Sequence, residues 1–164
     1  DVRSGYSGGK SYMAHYARVA SGDTGHAESV EITYDPKQIS YGELLRVFFS
    51  VAHDPTQLNR QGPDTGTQYR SAIFYMDDAQ KNIAQAYVRQ LDAAKVFQGP
   101  IVKKVHAYQG FYVAESYHQD FLLNHPRNPY IAINDLPKIR NLEQLFPGVY
   151  REPPITANGR VVER

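Results

Sequence analysis

The pattern of hydrophobic and polar positions predicts strands separated by helices along most of the chain. Strands are predicted for residues 28–34, 69–75 and 101–107. In the first of these the residues alternate, with Val30, Ile32 and Tyr34 on one face. Such alternation is typical of a half-buried strand, and the Asp-Pro pair that follows ends it.

Two helices are predicted between these strands. Ser40, with Glu43 three residues later, forms a capping box and begins the first helix, whose buried side carries Leu44, Leu45, Phe48 and Phe49. Asp77, with Gln80 three residues later, begins the second helix. Its apolar stripe comprises Ile83, Tyr87, Leu91, Ala94 and Phe97, and it ends at a Gly-Pro pair.

The order strand, helix, strand, helix, strand predicts an α+β fold in which helices pack on a mixed sheet in a two-layer sandwich. Residues 111–124 begin as an aromatic segment and become helical, and residues 135–146 predict a short amphipathic helix. Residues 5–9 predict a flexible turn. We expect one domain over residues 1–150 and a loose tail over residues 151–164.

Composition narrows the possible functions. The net charge is +1, and no apolar run approaches the ~18 residues of a membrane span, so we expect neither nucleic acid nor a membrane as partner. The chain has 13 tyrosines but no tryptophan and no cysteine, which excludes a thiolate nucleophile within these residues. It begins at Asp1 rather than at a methionine, so a targeting segment preceding it stays possible.

Two segments carry candidate chemistry. Glu28 follows Gly-His-Ala at the entry to a strand, where a half-buried carboxyl group can act as a general acid; the segment alone favours a surface glutamate. Residues 53–67 form a long polar segment without periodicity, and the loop of residues 53–71, which is dense in hydrogen-bonding side chains, delivers Asp64 and Tyr69 to the start of the next strand. A self-contained Ω-loop is the alternative to a binding loop there, and we favour binding.

Other site classes receive little support from the sequence. The six histidines are scattered without zinc-ligand spacing, and no glycine-rich loop joins a strand to a helix. No Gly-x-Ser-x-Gly nucleophile elbow is present. We therefore expect no metal and no cofactor.

Four sequence blocks together resemble the peptide methionine sulfoxide reductase A family. These blocks are residues 5–9 (GYSGG), 25–36 (GHAE followed by a strand and YDP), 53–71 (with DPTQLNRQG and GTQYRS) and 111–119 (FY followed by ESYHQ). Their order and spacing resemble the family over roughly residues 1–126, and the third block is the most specific. The resemblance implies a ferredoxin-like, split βαβ arrangement.

The family motif that carries the nucleophile, Gly-Cys-Phe-Trp, lies some twenty residues before the GYSGG block. Here that block begins at residue 5, so the resemblance leads us to expect that the first strand and first helix fall before Asp1. We predict that the 164 residues, which lack this cysteine, are inactive as a reductase by themselves.

The resemblance also assigns site residues and partners. Glu28 is the implied general acid, Tyr16 and Tyr69 the implied hydrogen-bond donors to the sulfoxide oxygen, and Asp64 the residue that orients them and contacts the substrate backbone. The implied reaction converts peptide or free methionine (S)-S-oxide to methionine through a cysteine sulfenic acid, with thioredoxin or another thiol as reductant. The cytoplasm is the expected compartment, and an exported form stays open. A non-catalytic module that recognises oxidised methionine is the alternative.

Overall fold

The computed structural model describes residues 1–102, 104–157 and 159. Its largest sheet has three antiparallel strands, with the first strand of the chain between the second and the seventh. They are β1 (Val2–Ser7), β2 (Ala27–Ile32) and β7 (Phe111–Val113). Between β1 and β2 the chain forms a 3-10 turn at Ser11–Met13 and a short helix, α1 (Tyr16–Val19).

The flexible turn predicted at residues 5–9 is wrong, because its first three residues belong to the central strand. Tyr6 and Ser7 are each only 2% exposed. A Cβ atom on Gly5 would lie 2.3 Å from the carbonyl oxygen of Tyr112 and 2.4 Å from the Phe111 ring. Glycine is therefore needed at residue 5 for close packing against β7 and not for a turn.

The strand predicted at residues 28–34 is present, but its apolar face is not buried. Val30 is 54% exposed and Ile32 is 43% exposed. Val2 pairs with Ile32 across the sheet and is itself 50% exposed, so these three side chains form one apolar surface. The alternation indicated a strand correctly, whereas the burial inferred from it is wrong.

The first predicted helix is present as α2 (Tyr41–Val47), followed by a π-helical turn at Phe48–Ala52. The capping box is confirmed: the Glu43 N–H donates to Ser40 Oγ over 3.2 Å, and the Ser40 N–H donates to the Glu43 carboxylate over 2.8 Å. Of the predicted buried side, Leu45 and Phe49 are fully buried and Leu44 and Phe48 are half-buried.

The second predicted helix is α3 (Asp78–Ala93), and Asp77 accepts a hydrogen bond from the Gln80 N–H over 2.7 Å. Of the predicted apolar stripe, Tyr87, Leu91 and Phe97 pack against the core, whereas Ile83 is 44% exposed and its neighbour Ala84 is fully buried. Ala94 is exposed. The core around α2 and α3 comprises Leu45, Phe49, Ile73 and Ala84, with half-buried side chains packed against them.

The remaining strands form two small sheets of their own. Strands β5 (Ala72–Tyr75) and β6 (Lys104–Ala107) pair in parallel, and β3 (Arg60–Gln61) and β4 (Asp64–Thr65) form an antiparallel hairpin. The α+β class is thus observed, whereas the pairings lie in three separate sheets within the described residues instead of one mixed sheet.

The carboxy-terminal part is mostly helical. After a 3-10 turn at Ser116–His118 come α4 (Phe121–Asn124), a π-helical turn at Ile131–Asp135 and α5 (Leu136–Leu145). In the predicted tail, the Ala157 N–H donates to the Asp120 carboxylate over 2.9 Å; residues 158 and 160–164 lie outside the described residues. None of the helices in the described part of the chain is long and apolar enough to span a bilayer.

Candidate active site

The polar segment of residues 53–71 satisfies much of its own hydrogen-bonding capacity. Asp54 accepts from the Thr56 N–H over 2.9 Å and from the Thr56 hydroxyl over 2.6 Å. The Gln57 side chain accepts from the Gly62 N–H over 2.7 Å, and the Gln61 side chain accepts from the Asp54 N–H over 3.1 Å. These bonds shape the β3–β4 hairpin, which holds Asp64 in a paired strand position rather than on a free loop.

A 3-10 turn at Thr67–Tyr69 follows the hairpin and is tied to the segment that leads into β2. The buried Gln68 side chain donates to the Ala20 carbonyl oxygen over 3.2 Å, and the Thr67 hydroxyl donates to the Gly22 carbonyl oxygen. These bonds fix the position of Tyr69, the last residue of the turn, relative to the entry of β2.

Arg70 strengthens the same connection. Its guanidinium donates to the carbonyl oxygens of Gly25, over 2.8 Å, and of His26 and Thr67, each over 2.9 Å. Burial lowers the pKa of this guanidinium. The turn that precedes β2 and the turn that carries Tyr69 are thus held by a single side chain.

Glu28 lies one residue inside β2, in register with Tyr6 of the central strand. The residue is open to solvent on one side, yet its carboxyl group is surrounded by enough protein for burial to raise its pKa. The charge of Asp64 raises the pKa of Glu28 further. A carboxyl group in such surroundings keeps its proton to higher pH than a free glutamate does.

Tyr69 interacts with the other three residues that the family resemblance selects. Burial raises the pKa of its phenol first, and the electrostatic influence of Glu28, of Asp64 and of Tyr16 adds to that effect. In the structure, these residues, which are distant in sequence, therefore lie close enough for Glu28, Asp64 and Tyr16 to affect the pKa of Tyr69. We call Tyr16, Glu28, Asp64 and Tyr69 the acid–phenol cluster.

Tyr16 begins α1 and is held there from the far end of the chain. Its backbone N–H donates to one oxygen of Glu115 over 2.8 Å, and the buried Tyr6 hydroxyl donates to the other oxygen over 2.8 Å. The Tyr16 ring packs against His118, with ring centroids 4.7 Å apart, and edge-on against Tyr117 at 6.4 Å. Tyr16 is 41% exposed, so this residue is accessible to a ligand while its backbone is held in place.

Glu115 and Arg70 were not singled out by sequence reasoning, although both lie within the motif blocks. Their importance comes from bonds to backbone atoms distant in sequence, which no residue pattern encodes. Burial works to raise the pKa of Glu115, but the hydrogen bonds from the Tyr16 N–H and the Tyr6 hydroxyl help to bring it below its usual range. Glu115 is thus an ionised bridge between β1 and α1.

Comparison with known proteins identifies relatives over most of the chain. The sequence model of the family described as peptide methionine sulfoxide reductase matches residues 1–148. The peptide methionine sulfoxide reductase MsrA 2 of Mesorhizobium japonicum is 60% identical over 152 residues, which cover 93% of this chain and 78% of that protein. The protein of the same name from Synechocystis sp. is 56% identical over 89% of this chain and 68% of its own length.

A solved structure supports the same assignment. The reduced form of Mxr1 from Saccharomyces cerevisiae superposes with a TM-score of 0.69 at 37% sequence identity. The match covers 77% of this chain and 72% of that one.

Proposed function

The chain belongs to the peptide methionine sulfoxide reductase family, and on that premise we propose that its acid–phenol cluster binds and protonates the sulfoxide oxygen of the substrate. The activity of the family is the reduction of methionine sulfoxide to methionine. The observation that carries the proposal is the position of Tyr69, which interacts at once with Glu28, Asp64 and Tyr16.

The reaction needs a donor and an acid on the oxygen side. A thiolate attacks the sulfoxide sulfur and forms an S–S bond, and a proton goes to the oxygen as the S–O bond breaks. The hydroxide released then bonds to the cysteine sulfur as the S–S bond breaks, so that the substrate leaves as methionine with two more electrons and the cysteine becomes a sulfenic acid. Neutral phenols of Tyr16 and Tyr69 suit the binding of the polar oxygen before reaction. Glu28 suits proton delivery, because its contact with the oxygen strengthens as charge develops there.

The acid–phenol cluster accounts for the oxygen side of this chemistry. The 164 residues of the chain contain no cysteine, so the thiolate is not among them. We propose that the sulfenic acid, once formed on such a thiolate, is reduced by thioredoxin or another thiol, which releases water and leaves a disulfide. Because that step needs a reducing thiol pool, we propose the cytoplasm as the working compartment.

We further propose that the separate sheets belong to one ferredoxin-like, split βαβ layer within a single domain over residues 1–150. The end of β1 lies beside β5, since a Cβ atom on Gly8 would be 3.2 Å from the Phe74 ring and 3.1 Å from the Arg70 guanidinium. Gly8 has a φ of +96°, which also favours glycine. The three-stranded sheet and the β5–β6 pair are therefore neighbours at this point.

A module that recognises oxidised methionine without reducing it is the second candidate. It uses the same four residues and needs no thiolate. The two candidates differ in the nucleophile alone, so the coding sequence upstream of Asp1 distinguishes them. A cysteine in a Gly-Cys-Phe-Trp segment identifies the enzyme.

Ligand binding to the 164-residue protein tests the proposal. N-acetyl-L-methionine (S)-sulfoxide N-methylamide is titrated while NMR follows the rings of Tyr16 and Tyr69, with the corresponding thioether as the ligand that lacks the oxygen. We expect the sulfoxide to shift both rings and the thioether to leave them unchanged. Tyr69→Phe weakens sulfoxide binding about fivefold, the usual effect of one lost hydrogen bond.

The matched control is Tyr12→Phe, which removes the hydroxyl of a tyrosine that is 71% exposed. It leaves the affinity for the sulfoxide unchanged. Equal affinity of sulfoxide and thioether, or shifts confined to residues outside the acid–phenol cluster, contradicts the proposed function.

A further inference from the structure

One residue of the acid–phenol cluster is bonded to a part of the chain that no motif block includes. The Tyr130 hydroxyl donates a hydrogen bond to the Asp64 carboxylate, although the two residues are 66 positions apart. It is the one hydrogen bond that this carboxylate makes within the described residues. The position of the Asp64 oxygens thus depends on Tyr130.

Tyr130 is held firmly enough to serve as such an anchor. Its N–H donates to the Asn128 side chain over 2.9 Å, and its carbonyl oxygen accepts from the Asn134 side chain over 3.0 Å. The side chain of the next residue, Ile131, is buried, with only 3% of the residue exposed, and its packing restrains the backbone. Both polar backbone groups and the adjacent side chain are therefore fixed, which limits the orientations open to the Tyr130 ring.

We propose that Tyr130 is a positioning residue of the active site, which holds the Asp64 carboxylate against Glu28 and Tyr69. The inference rests on the proposed function of the acid–phenol cluster. Without the phenol of Tyr130, Asp64, which is half-buried, turns toward solvent and leaves the cluster. A residue outside the motif blocks then sets the charge beside the general acid.

The charged groups around Tyr130 and Glu28 determine in which direction the pKa of Glu28 changes when Tyr130 is altered. Burial, the hydrogen bond to Asp64 and the charges of Asp64 and Asp135 all raise the pKa of Tyr130, so the phenol stays a neutral donor at working pH. Glu28 faces Asp64 of the β3–β4 hairpin, Tyr69 of the 3-10 turn and Tyr6 of β1. Asp64 is the charged group among these three, so moving it changes the titration of Glu28.

The test is the titration midpoint of the Glu28 side-chain carboxyl, followed by ¹³C NMR in the 164-residue protein. Asp64→Asn sets the scale, because it removes the neighbouring charge and lowers the midpoint. Tyr130→Phe is expected to lower the midpoint by at least half as much, although it removes no charge. The control is Tyr150→Phe, which removes a phenol that donates to Glu152 over 3.3 Å, and it leaves Glu28 unchanged.

A second measurement separates this inference from the proposed function. N-acetyl-L-methionine (S)-sulfoxide N-methylamide is titrated into wild type and Tyr130→Phe, and we expect the dissociation constant to rise about fivefold in the variant. If wild type does not bind the sulfoxide, the proposed function fails, and the Glu28 titration still decides the inference. An unchanged or raised Glu28 midpoint in Tyr130→Phe overturns the positioning role, whatever the ligand does.

Discussion

Glu28 and Asp64 are two neighbouring acids: burial raises the pKa of the Glu28 carboxyl group, and the charge of the Asp64 carboxylate raises that pKa further. The two acids come from a hairpin and a strand that are 36 residues apart in the chain. Their proximity opposes ionisation of Glu28, which is what a general acid near neutral pH requires.

The effect of Glu28→Gln on the free energy of unfolding is expected to be more stabilising at about pH 8 than at about pH 3.5. Between the ordinary glutamate pKa, about 4.3, and its raised value in the fold, the folded protein binds more protons than the unfolded chain. Wild-type stability therefore falls as the pH rises through that interval, and glutamine removes this loss. Urea unfolding at about pH 3.5 and about pH 8 checks the sign. If Glu28→Gln is less stable relative to wild type at about pH 8 than at about pH 3.5, the raised pKa of Glu28 is contradicted.

Removal of the Arg70 guanidinium is expected to destabilise the protein and loosen the site. Arg70→Met breaks the three hydrogen bonds to backbone carbonyl oxygens, which is expected to lower the free energy of unfolding by about 2–4 kcal/mol. Arg89→Met, on an exposed position of α3, is the matched control and costs less than about 0.5 kcal/mol. Equal unfolding midpoints for the two variants mean that Arg70 does not hold the turns together.

The exposed apolar surface of Val2, Val30 and Ile32 is expected to promote self-association. The double variant Val30→Thr, Ile32→Thr keeps β-branched side chains that suit a strand while reducing this surface. Sedimentation and binding of a hydrophobic dye are expected to show less association than wild type. Val149→Thr changes a valine that is 50% exposed outside the sheet and serves as control. If the double variant associates as strongly as wild type, self-association depends on another surface.

The 164-residue protein is expected to form no methionine from methionine (S)-S-oxide in the presence of dithiothreitol. It contains no cysteine, and therefore neither a thiolate nor a sulfenic acid forms on it. The measurement is methionine release by material of verified intact mass, with the Mesorhizobium japonicum relative as positive control. Turnover above the rate of dithiothreitol alone refutes the requirement for a cysteine thiolate.

Local signals in the sequence predicted local structure well. The capping box of Ser40 and Glu43 and the cap at Asp77 are present as expected, because each depends on residues three positions apart. The sequence predicts a turn at Gly5 in place of the central strand, whereas packing against Phe111 and Tyr112 is what requires glycine there. Close approach between distant segments leaves no periodic pattern in the sequence.

The candidate site likewise combines residues that a sequence comparison selects with residues that only the folded structure reveals. Glu28, Asp64, Tyr16 and Tyr69 were selected by resemblance, since their individual sequence contexts allowed a surface role. The groups that hold them, Arg70, Glu115 and Tyr130, act through hydrogen bonds to groups that are mostly distant in sequence. Such contacts depend on the assembled fold, so a single sequence does not reveal them.

The central claim is that Glu28 protonates the sulfoxide oxygen, and single-turnover kinetics test it most directly. The amino-terminal segment of the Mesorhizobium japonicum relative is joined ahead of Asp1 to supply the cysteine, and reduction of methionine (S)-S-oxide is followed across pH. Glu28→Gln is expected to slow the reductive step by about 10²–10⁴-fold while substrate affinity changes much less. Glu31→Gln, on the opposite face of β2, is expected to react like wild type. Equal rates and equal pH profiles for wild type and Glu28→Gln contradict the account.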